Sequence, residues 1–154
     1  MIAVDLNPMK LELARTFGAT DVVNGAETDA VETVRELTKG GVHYSFEAIG
    51  LKTAAEQAFA MLRRGGTATV IGMIPIGQKV EIPGYELLSE KKLQGSNMGS
   101  NRFRVDMPRL VDLYLDGRLK LDELVSARIG LDDINEGFAA MKAGAVARSV
   151  IMFE

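Results

Sequence analysis

Short apolar runs alternate along this chain with stretches of helical period, and glycine closes most of them. That rhythm belongs to strands joined by crossover helices, which assemble into a parallel α/β sheet. Ile2-Ala-Val-Asp5 reads as a short buried strand, and Asn7-Pro8 as the N-cap and first-turn proline of a helix. Met9, Leu13 and Phe17 fall at i, i+4, i+8 on one face of that helix, and Gly18 ends it. Asp21–Asn24 is the next strand. Val31, Val34 and Leu37 stripe the following helix, which Gly40-Gly41 terminates. Tyr44–Ile49 is a strand ending in Gly50. Ala55, Phe59 and Leu62 mark a helix that runs out at Arg63-Arg64-Gly65-Gly66, and Thr67–Ile71 is a strand closed by Gly72.

Beyond Gly72 the rhythm changes. Lys79–Ile82 reads as a short extended segment, and Pro83 opens a brief helix through Leu88. Lys91–Gly95 leads through Ser96–Gly99 as a further strand and turn. Met107, Leu110, Val111, Tyr114 and Leu115 share one helix face; Leu131, Ile134, Phe138 and Met141 share another that ends near Gly144. Val146–Phe153 is a last strand. The sum is about six parallel-type strands with helices between them, a doubly wound sheet in one domain over residues 1–154. A complete dinucleotide-binding domain of this class opens with a strand, a G-x-G-x-x-G turn and a helix, and its acidic residue follows ~20 residues later. Here the strand ending in Asp5 begins at residue 2. The expectation is therefore a sheet truncated at its first strand and glycine-rich loop.

Composition narrows the chemistry. The chain has no cysteine and one histidine, His43, so disulfides, thiolate sites and a conventional zinc site built from these residues alone are excluded. A net charge of −3 gives no nucleic-acid footprint and no polybasic membrane patch. No apolar run approaches the ~20 residues of a membrane span, and the opening Met-Ile-Ala-Val-Asp turns acidic too soon for a signal peptide. A cytoplasmic protein is expected.

The candidate site residues sit at strand ends. A carboxylate at Asp5 can accept a bond from a ribose hydroxyl and repel a 2′-phosphate; without a glycine turn before it, it reads equally as a solvated turn aspartate. Gly50 and Gly72 stand where ligands of open α/β sheets bind, although βα turns favour glycine in any case. Arg148 can clamp a pyrophosphate with its planar fork, or pair with a surface carboxylate. Met73 and Met98 are the methionines placed to line a pocket. His43, with no partner at ligand spacing, reads as a surface or packed residue.

Taken together, Ile2–Ala14, Phe17–Asn24, Tyr44–Gly50, Gly65–Gly72, Gly95–Ser100, Arg109–Leu119, Ile134–Phe138 and Arg148–Phe153 resemble the C-terminal part of the medium-chain, zinc-dependent alcohol dehydrogenases. The similarity is greatest to bacterial class III and thiol-dependent formaldehyde dehydrogenase-like members. The resemblance implies a Rossmann-type fold and a role as the NAD-binding portion of an enzyme that passes hydride between an alcohol or aldehyde and NAD. It implies that Asp5 and Lys10 hold the adenosine ribose, and that Ile49 and Gly50 close the adenine-side strand. It further implies that Ile71, Gly72 and Met73 meet the nicotinamide, that Ser96 and Met98 bind its carboxamide, and that Arg148 contacts the pyrophosphate. In the family a zinc polarises the alcohol oxygen, but the zinc ligands and the phosphate loop precede the part that this chain resembles.

The isolated chain is accordingly expected to be inactive, with NAD binding weak or lost. Leu124–Ile129 resembles text that packs on the absent catalytic domain. The resemblance also implies a homodimer through the sheet edge around residues 79–82 and 92–98. Two other readings stand beside this one: a non-catalytic dimerisation or interaction module, and part of a zinc-free quinone oxidoreductase relative.

Overall fold

The computed structural model describes residues 1–153 of the chain. They fall into two compact units, Met1–Asn101 and a second from Arg102 onward. In the first unit the order is β1 (Ile2–Asp5), α1 (Pro8–Thr16), β2 (Asp21–Asn24), α2 (Ala30–Leu37), β3 (Val42–Glu47), α3 (Lys52–Ala60), β4 (Leu62–Val70) and β5 (Lys92–Gly95). The second holds α4 (Phe103–Leu115), β6 (Ala127–Ile129), α5 (Ile134–Lys142) and β7 (Ser149–Ile151).

Every strand pair is parallel, as alternation of strand and helix requires. The strands form three sheets, β1-β2, β3-β4-β5 and β6-β7, where one continuous sheet was expected. The division in the first unit is a matter of hydrogen bonding: β1 bonds only to β2 and β3 only to β4, so no ladder joins the two sheets. Their core is nevertheless shared. Val23 of β2 and Ala30 and Val34 of α2 pack with Met61, and Ile2 of β1 and Val42 of β3 close on the same cluster. A second cluster, Ala58, Phe59, Leu62 and Ala68, joins α3 to β4 and takes in Ile82 and Leu93. Burying a side chain the size of Phe59 or Leu62 contributes about 2–3 kcal/mol each.

The start of α1 is as expected, and α2 has a side-chain cap that the sequence reading did not name. The Asn7 side chain accepts the Met9 N–H at 2.9 Å with Pro8 in the first turn, and the Asp29 Oδ1 accepts the Glu32 N–H at 2.9 Å to start α2. Gly18, at φ +95°, closes α1 in the left-handed region.

Several sequence expectations shift. In α1 it is Leu11 that is buried, while Met9 is exposed; in α2 the buried pair is Ala30 and Val34, and Leu37 faces water. Period alone fixes a stripe but not which edge of it meets the sheet. Leu62 belongs to β4, not to α3, and β3 runs Val42–Glu47, leaving Ile49 beyond its end. The register between β3 and β4 is irregular: Val42 pairs with Leu62 but Tyr44 with Thr67, and the extra residues Arg63–Gly66 form a bulge. Lys79–Ile82 joins no ladder among the described residues. It is tied to α3 instead, through the Glu81 N–H to Glu56 Oε1 at 2.8 Å and Lys52 Nζ to Glu81 Oε2 at 2.8 Å. That lysine holds the Glu81 carboxyl below the ordinary glutamate value, and the same contact raises Lys52.

In the second unit, β6 is a strand within the segment expected to pack elsewhere, and it pairs with β7 from Ala127↔Ser149 to Ile129↔Ile151. The last strand is shorter than the Val146–Phe153 expected. The apolar stripes of α4 and α5 form helices as expected, yet neither helix has a buried residue.

Candidate cofactor site

Three adjacent parallel strands place their carboxyl ends side by side, and the chain laces those ends together. The Ile71 and Gly72 N–H groups donate to the Glu47 carbonyl at 2.7 and 3.1 Å, so the end of β4 hangs on the end of β3. The Ser96 N–H donates to the Val70 carbonyl at 2.9 Å, which attaches the end of β5. Ile49 and Gly50, Ile71 to Met73, and Ser96 to Met98 are thereby gathered on one edge of one sheet.

The two glycines of that edge are there for the same reason. A Cβ on Gly72 would stand 2.1 Å from the Gly50 nitrogen and 2.7 Å from Glu47 Oε2. A Cβ on Gly50 would stand 2.6 Å from the Met73 carbonyl oxygen, at a φ of +92°. Sequence reading assigned these glycines to the approach of a ligand. The structure shows a prior demand, the approach of one loop to the other.

After β5 the backbone is strained. Met98, Gly99 and Ser100 are all left-handed, with φ of 49°, 71° and 52°, a conformation that disfavours residues carrying a Cβ. A contact of 3.1 Å between the Ser96 and Ser100 hydroxyls spans the loop. The result is to leave Met98 in water, and Ile49, Ile71 and Met73 are exposed with it, Met73 by 90%. An apolar rim at the carboxyl edge of a parallel sheet suits a flat, partly apolar ligand.

The remaining sequence candidates belong to other elements. Asp5 is half-buried at the end of β1, in the neighbouring sheet, where its Oδ1 accepts the Asn7 N–H at 2.9 Å. Lys10 is exposed on α1. Arg148 belongs to the second unit, exposed just before β7, with its carbonyl accepting the Ser126 N–H at 2.8 Å. His43 lies at the opposite, amino end of β3, exposed and 3.3 Å from Arg63 Nη1. Among the described residues no group of three or more histidines and carboxylates is placed to hold a metal.

Sequence reading missed Glu47. It is 3% exposed at the end of β3 and its carboxylate lies inside the candidate edge. The available signal was a charged residue placed in an apolar strand three positions before a closing glycine, in Phe46-Glu-Ala-Ile-Gly50.

A family model described as zinc-binding dehydrogenase matches residues 1–115. The chain belongs to the zinc-binding dehydrogenase family. It is similar to the S-(hydroxymethyl)glutathione dehydrogenase of Paracoccus denitrificans, 34% identical, with 99% of this chain and 43% of that protein covered. Of solved structures, benzyl alcohol dehydrogenase from Acinetobacter calcoaceticus matches with a TM-score of 0.94 at 31% identity, covering 99% of this chain and 42% of that one. A zinc-binding dehydrogenase from Sinorhizobium meliloti 1021, solved bound to NADP, matches with a TM-score of 0.78 at 30% identity, covering 88% and 40%. This chain thus spans less than half the length of the relatives it matches. The family resemblance and the Rossmann-type α/β fold with parallel sheets are both borne out. Within the zinc-binding dehydrogenases, the candidate edge lies wholly inside the region matched by the family model.

Proposed function

We propose that this chain is the NAD-binding portion of a zinc-dependent alcohol dehydrogenase. The observation that carries the reading is the laced edge at the ends of β3, β4 and β5, where two glycine-tight loops and a strained third one present an exposed apolar rim. In this reading the nicotinamide rests against Ile71, Gly72 and Met73, with Ser96 and Met98 at its carboxamide. Ile49 and Gly50 border the adenine side. Bound there, the cofactor would supply hydride acceptance, and these residues would orient its ring.

Asp5 argues for NAD over NADP. One carboxylate oxygen accepts the Asn7 N–H, and the second can take a ribose hydroxyl, while the negative charge opposes a 2′-phosphate. Lys10 is proposed for the ribose. One solved relative carries NADP, so the choice is a property of each member's own residues. With NADH or NADPH at millimolar concentration, saturation-transfer NMR is expected to give a protein-dependent adenosine signal for NADH that exceeds that for NADPH. Asp5→Ser should narrow the difference by about tenfold, the scale of one charged hydrogen bond. Equal signals for the two cofactors, or none for NADH, would overturn the reading.

These residues do not fit the zinc of the family's name. With no cysteine and one histidine, the chain lacks the donors of a dehydrogenase zinc site, and no step through the metal is assigned to it. We expect the purified 154-residue chain, given zinc, NAD and primary alcohols, to produce no NADH above a protein-free control. Protein-dependent absorbance at the NADH band would contradict this. Self-association remains part of the proposal through the outer edge of β5, since among the described residues β5 bonds only to β4.

A further inference from the structure

One carboxylate in the site region is buried, heavily used on one side and unused on the other. Glu47 Oε1 accepts the Ile49 N–H at 2.7 Å and the Gly50 N–H at 2.6 Å, with Leu51 N–H more distant at 3.4 Å. Those three amides form the turn that leads into α3. That helix has no side-chain cap of its own, because its N-cap residue is Leu51. The Glu47 carboxylate holds the turn just before that helix, where negative charge is favourable near the positive end of a helix dipole. Through its main-chain carbonyl the same residue holds the Ile71 and Gly72 amides. Glu47 therefore grips one loop with its side chain and the other with its backbone.

The second carboxylate oxygen distinguishes this arrangement from an ordinary cap. Glu47 Oε2 is buried and has no hydrogen-bond partner. A Cβ added to Gly72 would come within 2.7 Å of it. A buried oxygen left without a partner is costly, and natural folds avoid such oxygens except where they have a purpose.

We propose that Glu47 is the positioning residue of the cofactor edge. Its carboxylate sets the Ile49–Leu51 turn and bears on Gly72, so that the loops after β3 and β4 move as one surface. This rests on the cofactor reading above for the identity of the ligand, but the clamp itself is a property of the chain. The alternative is a merely structural carboxylate whose loss loosens the whole unit without singling out the edge.

The test is amide hydrogen exchange by NMR on the intact chain, with NADH-induced shifts at Met73 as a second readout. In the wild type, the Ile49, Gly50, Ile71 and Gly72 amides are expected to exchange slowly. Glu47→Asp withdraws the carboxylate by one methylene and should accelerate all four by at least about tenfold, leaving Leu11 and Val23 unchanged. It should also weaken the NADH-induced shifts at Met73. Glu47→Gln keeps the acceptor oxygen and should hold all four within about threefold of wild type. If Glu47→Asp leaves the four amides protected, or Ile49 and Gly50 exchange freely in the wild type, the clamp does not exist. If Glu47→Asp accelerates Leu11 and Val23 equally or does not fold, and Glu47→Gln exposes the four amides, the residue is structural and the proposal fails; protection kept in Glu47→Gln sustains it. NADH leaving Met73 unmoved in every variant would sink the cofactor reading alone, because the exchange pattern still decides the clamp.

Discussion

Gly72→Ala should lower the melting midpoint of this chain by about 10 °C, the shift expected when overpacking costs about 3 kcal/mol in a chain of this length. The added methyl would meet the Gly50 nitrogen at 2.1 Å, and that contact is with backbone, which cannot swing aside as a side-chain tip can. To accommodate it, the loops after β3 and β4 must part, breaking the Ile71 and Gly72 hydrogen bonds to Glu47. The same substitution should therefore remove any NADH-induced shift at Met73. Gly84→Ala is the control: a Cβ there meets nothing within 4 Å and the backbone is not left-handed. Thermal melts followed by circular dichroism compare the two directly. Coincident melts for Gly72→Ala and the wild type would show that the loops have slack that the contact distances deny.

Phe59→Ala is expected to cost about 3–5 kcal/mol, read as a shift in urea midpoint. Phe59 is 1% exposed and central to the cluster with Ala58, Leu62 and Ala68 that fixes α3 on β4. Its ring also underlies the ammonium of Lys91, 5.4 Å from the centroid, and that buried lysine pairs with Glu86. Removing the ring opens a cavity and strips a partner from a buried charge, and both effects have the same sign. The comparison is Phe138→Ala on α5, where the residue is 58% exposed and the cost should be less than about 0.5 kcal/mol. Equal shifts for the two phenylalanines would mean that the burial pattern is wrong in one of the two units.

That pair of phenylalanines also marks the limit of what can be read without coordinates. Each sits at a regular apolar position on a helix, and periodicity treats them alike. The period of 3.6 says that a helix has an apolar side; it carries no information on whether another element lies against that side. The same limit explains why Leu11 replaces Met9 and Ala30 replaces Leu37 as the buried residues. Burial is settled by the angle at which a helix meets its sheet. Leu62 was misplaced for a related reason, since one leucine satisfies both the last turn of a helix and the first residue of a strand. The three residues of β6 are too few to show an alternation at all.

Local chemistry was legible where a residue type has few other uses. Asn7-Pro8 starts a helix because one side chain caps and the next ring pre-sets φ, and Gly50 marks a strand end because the turn there needs a positive φ. These signals act within a few residues, so the chain alone carries them. From them, and from the family text, follow the parallel α/β class and the placing of the candidate residues at strand ends.

The laced edge itself was beyond that reach. Gly50 and Gly72 are 22 positions apart in the numbering, and their mutual need for glycine arises only when parallel pairing brings the ends of β3 and β4 together. Glu47 was invisible for the same cause: as text it is one glutamate among many charged residues, and only the folded sheet buries it and turns its carboxylate onto three amides. The sequence by itself determined the parallel α/β class, the start of α1 and the strand-end glycines. Tertiary structure alone decided which strand ends meet and which carboxylate stands between them, because steric exclusion and desolvation act on neighbours in space rather than in sequence.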